Sequence, residues 1–177
     1  MRFLKASSPL QLFRIKRLYR EAFPKCERKP FSIIKAMASR GKTDLWYFED
    51  DYGFVGMCAT INGEDNVLLD YLAVTKSRRS HGLGSLMLKE MLDHYYEYGV
   101  FLEIEELDDR APNSKERRRR REFYLRAGLK PMNTYVNLFG VNMELLGVRC
   151  RLDFDEYRSF YLNNYGRFAY DHILPRK

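Results

Sequence analysis

The stretch Arg79-Ser80-His81-Gly82-Leu83-Gly84 joins an apolar run typical of a strand, Val67–Val74, to a helical pattern. Apolar residues then recur every three or four positions, as one buried helix face requires: Leu83, Leu86, Met87, Met91, Leu92 and Tyr95. This helix is predicted to end at Gly99. A strand, a basic loop with two glycines and a helix N-terminus together favour an anion, because free N–H groups and the helix dipole present positive charge. We therefore expect the loop to bind a pyrophosphate group.

Two common phosphate-binding loops do not match this stretch. A Walker loop has a lysine between its last glycine and a serine or threonine, whereas Gly84 and Ser85 are adjacent. A dinucleotide fingerprint has three glycines, and Arg79 takes the place of the first. The remaining pattern, Arg-x-x-Gly-x-Gly, resembles the acetyl-coenzyme A loop of the GNAT N-acetyltransferase superfamily. The alternative is a plain strand-to-helix turn that uses glycine for its tight geometry, since short glycine motifs are weak evidence alone.

Length and composition are those of one globular domain. The chain has 177 residues, of which 45% are hydrophobic and 15% aromatic, and this composition argues against a disordered protein. No apolar run approaches the roughly 20 residues that span a bilayer. The segment Met1–Lys5 is too short and too charged for a secretion signal. We therefore expect a cytoplasmic protein without a membrane partner.

The net charge and the spacing of the cysteines limit which partners and which reactions are expected. A net charge of +7 suits an anionic partner, whether coenzyme A, a nucleic acid or an acidic membrane surface. Cys26, Cys58 and Cys150 are far apart and have no close Cys or His partner in the sequence. This spacing predicts neither a disulfide framework nor a zinc site, so we expect no metal. None of the three has an activating neighbour, so a thiol nucleophile is not expected.

The predicted elements follow the order β-α-α-β-β-β-α-β-α-β-β, which indicates a mixed α/β fold. Strands are predicted at Arg2–Lys5, Asp44–Glu49, Phe54–Ile61, Val67–Val74, Val100–Glu106, Lys130–Val136 and Val141–Leu146. Besides the helix after the loop, helices are predicted from the capping box at Ser8 to Pro24, over Phe31–Arg40 and Ser114–Ala127, and from Phe154 to about Ile173.

This order of elements also resembles the GNAT family. The resemblance implies the acyl-CoA N-acyltransferase fold, in which helices flank a central mixed sheet that is mostly antiparallel. It covers residues 1–147, which we expect to form the acetyltransferase domain, and it is strongest from Leu69 to Gly128. Residues 148–177 are expected to add a C-terminal helical extension that packs on the same domain.

The resemblance also implies where acetyl-CoA binds. In the family, the pantetheine arm lies along the strand before the loop, and the pyrophosphate meets N–H groups of the loop, with charge here from Arg79 or Lys76. The implied cofactor-binding residues are Leu72, Ala73, Val74, Arg79, Ser80, His81, Gly82, Leu83, Gly84 and Ser85. His81 occupies a spacer position in this match, so we expect it to contact the cofactor rather than to catalyse.

The segment Phe123–Leu129 resembles the second signature of the family, an aromatic–tyrosine pair followed by glycine and an apolar residue. The match implies that Tyr124 is the general acid, and a phenol with a pKa of about 10 holds its proton until the thiolate leaves. The alternative is that Tyr124, one of 13 tyrosines, simply packs on the sheet. Family members often carry an asparagine seven positions earlier, where this chain has Arg117. In the family this asparagine contacts the cofactor. Which residue makes that contact here stays open, and Asn113 is a candidate.

The catalytic base is expected among three carboxylates. An ammonium substrate must lose a proton, usually to a carboxylate directly or through water. Strand alternation places Asp70, Glu103 and Glu105 on the faces opposite to the predicted core residues. Each of them, taken singly, fits a solvated or structural role better than a catalytic one. The resemblance implies that a backbone N–H near Val74 stabilises the oxyanion.

Arg117–Arg121 are five consecutive arginines in a predicted helix. Consecutive helical residues point around the whole circumference, so the run does not form a single stripe. It fits a charged helix beside a phosphate-bearing cofactor. Nucleic acid is disfavoured as a partner, because no aromatic platform or groove-fitting element accompanies the run.

We therefore predict an acetyl-CoA-dependent N-acetyltransferase in which a primary amine attacks directly through a ternary complex, since no activated nucleophile is apparent. The acceptor is expected to be a small-molecule amine or a peptide amine, and the sequence does not select between them. Two other functions stay open: a non-catalytic acyl-CoA-binding sensor on the same fold, and an RNA- or ribosome-associated protein that uses Arg117–Arg121. A homodimer through the C-terminal aromatic residues also stays open.

Overall fold

Strands and helices follow one another along residues 1–176, which the computed structural model describes with all side chains except that of Cys26. The strands are β1 Arg2–Lys5, β2 Thr43–Asp50, β3 Gly53–Asn62, β4 Asn66–Val74, β5 Gly99–Glu105, β6 Lys130–Leu138, β7 Val141–Val148 and β8 Ile173–Pro175. The helices are α1 Pro9–Ala22, α2 Phe31–Ser39, α3 Leu83–His94, α4 Ser114–Arg126, α5 Phe154–Tyr165 and α6 Arg167–Asp171, with 3-10 turns at Lys25–Glu27 and Lys76–Arg78. None of these helices, within the described part of the chain, is long and apolar enough to cross a membrane. The expectation that Cys26 has no metal or disulfide partner concerns a side chain that the structure does not describe.

The chain divides into two units, and β4 contributes residues to both. The first unit is Met1–Asn62 with Leu69–His94, and its strands are hydrogen-bonded in the order β1-β2-β3-β4. The second unit is Gly63–Leu68 with the chain from Tyr95 onward, and its strands follow the order β4-β5-β7-β6-β8.

The sheet has eight strands, and most of its ladders are antiparallel. β1–β2, β2–β3, β5–β7, β6–β7 and β6–β8 pair antiparallel, whereas β4 pairs with β5 in parallel, with Asn66 opposite Gly99. Parallel neighbours need a crossover connection, and α3 is the helix between β4 and β5 in the chain. The predicted mixed, mostly antiparallel sheet with flanking helices is confirmed.

Helix α1 begins at the predicted capping box. Ser8 Oγ accepts a hydrogen bond from the Gln11 N–H at 3.2 Å, and Gln11 Oε1 accepts one from the Ser8 N–H at 3.1 Å. These bonds satisfy two N–H groups that the helix itself cannot. The buried face of α1 belongs to the core of the first unit, which comprises Ile15, Leu18, Tyr19, Ile34, Leu45, Tyr47, Met57, Ala59, Tyr71 and Ala73. Tyr71 and Ala73 lie in β4, so core packing fixes the strand that precedes the loop.

Helix α5 carries the predicted aromatic face of the C-terminal segment. Tyr157, Phe160 and Tyr161 are buried on it. Phe160 packs edge-on against Phe101 of β5, with the ring centroids 5.0 Å apart. Aromatic residues bury a large apolar area in such pairs, so this face anchors α5 on the sheet within the second unit.

The C-terminal segment is not the single helix predicted from Phe154 to about Ile173. Gly166 ends α5 with a φ of +81°, a conformation that glycine adopts at low cost. After the short helix α6, β8 pairs with β6 and places Ile173 opposite Leu138. A strand of three residues is too short for periodicity to distinguish it from a helix, which is why the pattern missed it.

Helix α3 ends at His94, earlier than the predicted end at Gly99. Residues 95–98 form a turn, and Gly99 instead opens β5. A Cβ at Gly99 would clash with the side chains of Asn66 and Cys150. This glycine therefore serves close packing in the second unit rather than the end of a helix.

Candidate functional site

The loop between β4 and α3 passes through two left-handed residues. Ser80 has a φ of +66° and Gly82 a φ of +73°. Glycine adopts this conformation freely because it lacks a Cβ, whereas serine there costs roughly 1–2 kcal/mol. Residues 79–82 are exposed, and Leu83 begins α3. Strained backbone of this kind is typical of ligand-binding loops.

The start of α3 leaves backbone N–H groups outside the helical ladder. That ladder begins with Ser85 and Leu86, whose N–H groups both donate to the Gly82 carbonyl oxygen at 3.1 Å. Earlier N–H groups have no helical partner, as at every helix start, and together with the helix dipole they bind anions. The contact of a diphosphate with the N–H groups of residues 80–84 stays a prediction. The Ser85 N–H, also predicted to contact it, already donates within the chain.

The charged side chains of the loop contact other residues of the first unit. Arg78 forms a two-point ion pair with Asp50 of β2, with one contact at 3.3 Å, and this hydrogen bond lowers the pKa of Asp50. Arg79 Nε donates to the Val74 carbonyl oxygen at 3.1 Å. His81 Nδ1 lies 2.6 Å from the Arg79 carbonyl oxygen. Arg79 and His81 therefore stabilise the shape of the loop, a role that the sequence did not indicate.

The end of β4, predicted to bind the pantetheine arm, has a tightly packed backbone. Tyr71 and Ala73 are buried in the core of the first unit, while Leu72 and Val74 are half-buried. A Cβ at Gly56 of β3 would clash with the Ala73 carbonyl oxygen, so β3 and β4 approach closely there. Packing on one face thus fixes the backbone of residues 72–74, as a binding site requires.

A cavity of about 550 Å³ lies beside the loop in the first unit. Helix α1, strand β3 and the start of the loop line it with Arg14, Arg17, Leu18, Glu21, Phe54, Thr75, Lys76 and Ser77. Three of these residues are cationic and one, Glu21, is acidic, so the lining has a net positive charge that favours an anionic group. Thr75 Oγ1 is buried and has no hydrogen-bond partner within residues 1–176, which makes it available to a ligand. Arg14 and Arg17 are not among the predicted site residues, although their three-residue spacing places them on one helix face.

Tyr124 lies in the last turn of α4, in the second unit. The chain leaves this helix through Gly128, with a φ of +94°, and the Leu129 N–H donates to the Tyr124 carbonyl oxygen at 3.2 Å. The half-buried Tyr124 ring lies 5.1 Å from the ring of Phe123. The segment Phe123–Leu129 is therefore a helix end that fixes the Tyr124 backbone. The general-acid role of its hydroxyl stays a prediction.

Two of the three candidate bases pair with cations. Asp70, in the first unit, is nearly buried, and its two oxygens lie 2.7 and 2.8 Å from Lys29 Nζ. Glu105, in the second unit, contacts Arg117 at 2.8 Å through Oε1 and Arg120 at 3.2 Å through Oε2. Each oxygen of both carboxylates is therefore in contact with a cationic group.

Glu103 is held by phenols. Its Oε1 accepts hydrogen bonds from the hydroxyl groups of Tyr157 at 2.7 Å and Tyr161 at 2.6 Å, both on α5. The neighbours of Glu103 in β5, Leu102 and Ile104, are buried, and Glu103 is half-buried, as the predicted alternation requires. The sequence did not predict the two tyrosine contacts, because α5 follows β5 by about fifty residues.

The arginine run of α4 is largely paired inside the second unit. Four of its members contact acidic residues: Arg117 and Arg120 with Glu105, Arg118 with Asp109, and Arg121 with Glu144. The Arg121–Glu144 pair has two contacts, at 2.8 and 3.0 Å, and Glu144 is 3% exposed. Arg117, at the position of the family asparagine, also donates to the Glu106 carbonyl oxygen at 2.7 Å and to Asn113 Oδ1 at 2.8 Å. Arg117 and Asn113 thus belong to one ion-pair network.

The described cysteines are held in their neutral form by burial. Burial raises the pKa of the Cys58 thiol well above its usual value, and it raises the pKa of Cys150 to about 11. The thiolate is the nucleophilic form of cysteine, so neither thiol is activated near neutral pH. Across the described side chains, no group of three or more His, Cys, Asp or Glu could hold a metal ion.

Comparisons with known proteins point to one family. Residues 41–131 match the family model of the acetyltransferase (GNAT) domain. Among solved structures, a GNAT-family protein from Bacteroides thetaiotaomicron aligns with a TM-score of 0.77 over 94% of this chain and 99% of that chain, at 20% identity. The aminoglycoside 6′-N-acetyltransferase from Enterococcus faecium aligns with a TM-score of 0.62 over 86% and 100%, at 16% identity. NAA60 from Arabidopsis thaliana, in complex with acetyl-CoA, aligns with a TM-score of 0.61 over 83% and 97%, at 15% identity.

The family model and the solved structures support different conclusions about this chain. At these identities, the solved structures show a shared fold, and a comparison with curated proteins finds no match. The family model covers half of the chain and includes β4, the loop and α3, together with the segment that carries Tyr124. The chain therefore belongs to the GNAT acetyltransferase family.

Proposed function

We propose that this protein transfers the acetyl group of acetyl-CoA to a primary amine by direct attack in a ternary complex. The loop over Arg79–Gly84 carries the proposal, because it leads from β4 through two left-handed residues into the N-terminus of α3. It lies inside the matched family segment, and one structural neighbour is a complex with acetyl-CoA. Another neighbour is named as an aminoglycoside N-acetyltransferase, which supports an amine as acceptor.

Residues of the first unit suit the anionic and amide groups of coenzyme A. We expect the N–H groups of residues 80–84 to bind the diphosphate and the backbone of residues 72–74 to bind the pantetheine arm. A hydrogen bond to a charged group contributes roughly 1.5–3 kcal/mol, so a few of them anchor the cofactor. Lys76 and Arg79 add positive charge beside the diphosphate. When bound, acetyl-CoA supplies an acetyl group that its thioester activates for transfer.

The protein's own residues manage the charges and protons of the reaction. One of the three candidate carboxylates takes the proton of the substrate ammonium, directly or through water. A backbone N–H near Val74 stabilises the negative charge that develops on the acetyl oxygen. The Tyr124 hydroxyl donates its proton to the departing sulfur. Direct attack is favoured over an acetyl-enzyme, because Cys58 and Cys150 keep their protons near neutral pH.

The test is to mix the purified protein with acetyl-CoA and a panel of primary amines and to follow the release of free thiol. The panel contains polyamines, amino sugars, amino acids and peptides with a free N-terminus. Thiol release that depends on one of these amines supports the proposal. Calorimetry with coenzyme A separates the alternatives, since tight binding without turnover would indicate a non-catalytic acyl-CoA sensor. Absence of both binding and turnover overturns both functions.

The ion pairs of α4 argue against a function in RNA binding. Four arginines of Arg117–Arg121 already contact carboxylates of the second unit, and nucleic-acid phosphates would have to displace these. Binding to RNA would show as a salt-dependent gel shift that is lost when these arginines are replaced. Observation of such a shift would contradict this argument.

A further inference from the structure

We propose that the cavity beside the loop in the first unit is a second anion site, which takes a carboxylate or phosphate group other than the diphosphate of the cofactor. Two arginines of α1, Arg14 and Arg17, carry the proposal, because they line this cavity of about 550 Å³ and neither forms an ion pair with a carboxylate of residues 1–176. A cavity of this size holds a small molecule. Binding of the anion does not depend on the proposed acetyl transfer, whereas its assignment to the amine acceptor does.

The two arginines present unneutralised guanidinium groups on one face of α1. They are three residues apart, and like charges at such spacing repel each other, so an anion beside them is favoured. Arg14 Nη1 donates to the Tyr47 hydroxyl group at 2.7 Å, and this neutral partner positions the guanidinium without cancelling its charge. Arg17 is exposed and has no hydrogen-bond or ion-pair partner among residues 1–176. A guanidinium offers a planar set of N–H donors that matches a carboxylate or a phosphate.

Two further polar groups of the lining bear on the ligand. Glu21 is acidic, so it opposes an anion, but it faces three cationic side chains in the same lining. Thr75 Oγ1 is buried and has no hydrogen-bond partner within residues 1–176. A buried hydroxyl group without a partner is unfavourable, and an oxygen of the bound group would accept the hydrogen bond that this hydroxyl group lacks.

The cavity and the predicted diphosphate site lie on different sides of β3. Met57 and Ala59 belong to the core that packs under α1. A Cβ at Gly56 would instead meet the Met87 side chain of α3, since successive residues of a strand face opposite sides. Four lining residues of the cavity come from α1, so it lies on the α1 side. The helix whose N-terminus is predicted to bind the diphosphate packs on the other side, and the cavity therefore takes a different anionic group.

The cavity also reaches the start of the loop. The Thr75 N–H donates to the Val55 carbonyl oxygen at 2.9 Å, so the chain stays paired with β3 just past the end of β4. Thr75, Lys76 and Ser77 line the cavity and directly follow residues 72–74, which are expected along the pantetheine arm. An anionic substituent of the amine acceptor would lie next to the cofactor here. A free phosphate ion would make the same contacts.

The first experiment measures binding and needs no acetyl transfer. A ligand of the folded state raises the melting temperature, so inorganic phosphate is the probe and sodium chloride at equal ionic strength is the reference. We expect Arg17→Gln to need about tenfold more phosphate than the wild type for the same rise. Arg20→Gln removes the same charge from an exposed position of α1 outside the cavity and should respond like the wild type. The readout is the difference between these variants, because phosphate also stabilises folded proteins in general.

The Thr75 hydroxyl group gives a second test of the same site. Thr75→Val keeps the shape of the side chain and removes an unpaired hydroxyl group, so we expect no loss of stability without phosphate but a weaker response to phosphate. A merely structural hydroxyl group would give the reverse, a loss of stability with an unchanged response. Thr43→Val removes another buried hydroxyl group without a partner, on β2, and is the matched control.

The second experiment identifies the source of the anionic group. It compares kcat/KM for primary amines that differ only in that group: glycine with glycinamide, and phosphoethanolamine with ethanolamine. If the acceptor carries the group, the wild type prefers the anionic member of each pair and Arg17→Gln loses this preference. If a free anion binds, inorganic phosphate changes kcat/KM of both members alike, and Arg17→Gln loses this response.

The outcomes separate this site from the proposed function. Equal phosphate responses of Arg17→Gln and Arg20→Gln overturn the anion site and leave the proposed function standing. A loss of coenzyme A affinity in Arg17→Gln as large as its loss of phosphate response also overturns it, because the cavity would then belong to the cofactor site. If the wild-type protein acetylates no amine, the proposed function fails, while a phosphate response that depends on Arg17 still supports the anion site.

Discussion

Gly82 is the residue on which the shape of the loop depends most directly. A Cβ at this position would meet nothing within 4 Å, so a substitution is opposed only by the left-handed φ of +73°. That conformation costs an alanine roughly 1–2 kcal/mol. We expect the free loop of Gly82→Ala to relieve this strain by leaving the left-handed conformation. Binding would then have to restore that conformation, so coenzyme A binding should weaken about tenfold, since 1.4 kcal/mol corresponds to a factor of ten in Kd.

Calorimetry with coenzyme A measures this effect, and Gly140→Ala is its control. Gly140 has a φ of +91° and equally open surroundings, but it lies in the turn between β6 and β7. We expect the control to lose stability without losing affinity. Equal affinities in the two variants would show that the loop does not bind the cofactor through its backbone.

Tyr124 should act in the chemical step and not in cofactor binding. Tyr124→Phe keeps the ring beside Phe123 and removes only the hydroxyl group. We expect kcat to fall by about 10²–10⁴-fold, the usual contribution of general acid catalysis, with an unchanged Kd for coenzyme A. Steady-state kinetics and calorimetry on the same preparation check this. A wild-type kcat would remove Tyr124 from the mechanism.

At the scale of elements, helix α4 carries both an arginine that pairs with a buried carboxylate and an arginine that is exposed. Arg121→Ala leaves the almost fully buried Glu144 without its two-point partner, so we expect the free energy of unfolding to fall by roughly 2–3 kcal/mol. Arg119→Ala removes an exposed charge of the same run and should change the free energy of unfolding by about 0.5 kcal/mol or less. Urea denaturation measures both, and equal losses would contradict the assigned ion pair.

Elements with strong local signals were predictable, and elements that depend on contacts were not. The capping box at Ser8 and the glycine after α4 mark helix ends through their immediate neighbours, and both helices form where predicted. The early end of α3 and the strand β8 depend instead on packing around Gly99 and on pairing of Ile173 with β6. Periodicity within a short window carries no information on such partners.

At the scale of the whole molecule, buried thiols should make stability fall at alkaline pH. In the unfolded chain the thiols titrate near pH 9, whereas burial raises the pKa of Cys150 to about 11 and that of Cys58 well above its usual value. Between pH 9 and 11 the unfolded chain therefore loses protons that the folded protein keeps, and the free energy of unfolding decreases with pH. Urea denaturation at pH 7.5, 9 and 10.5 tests this, and Cys150→Ser should show a smaller decrease. A constant free energy over that range would contradict it.

Residues close together in the chain determined the fold class, the family and the location of the loop. Arg79–Gly84 is informative because a strand end, two glycines and a helix start are neighbours in sequence. The anion-binding character of such a loop depends on these adjacent residues and not on distant contacts. Tertiary structure alone decided that Asp70 and Glu105 contact cationic side chains and that two tyrosine hydroxyl groups contact Glu103. Lys29 reaches Asp70 across 41 residues and Tyr157 reaches Glu103 across 54, and no sequence period relates such distant partners. A carboxylate's partners set its chemistry, so the surroundings of the three candidate bases are defined only when the chain is folded.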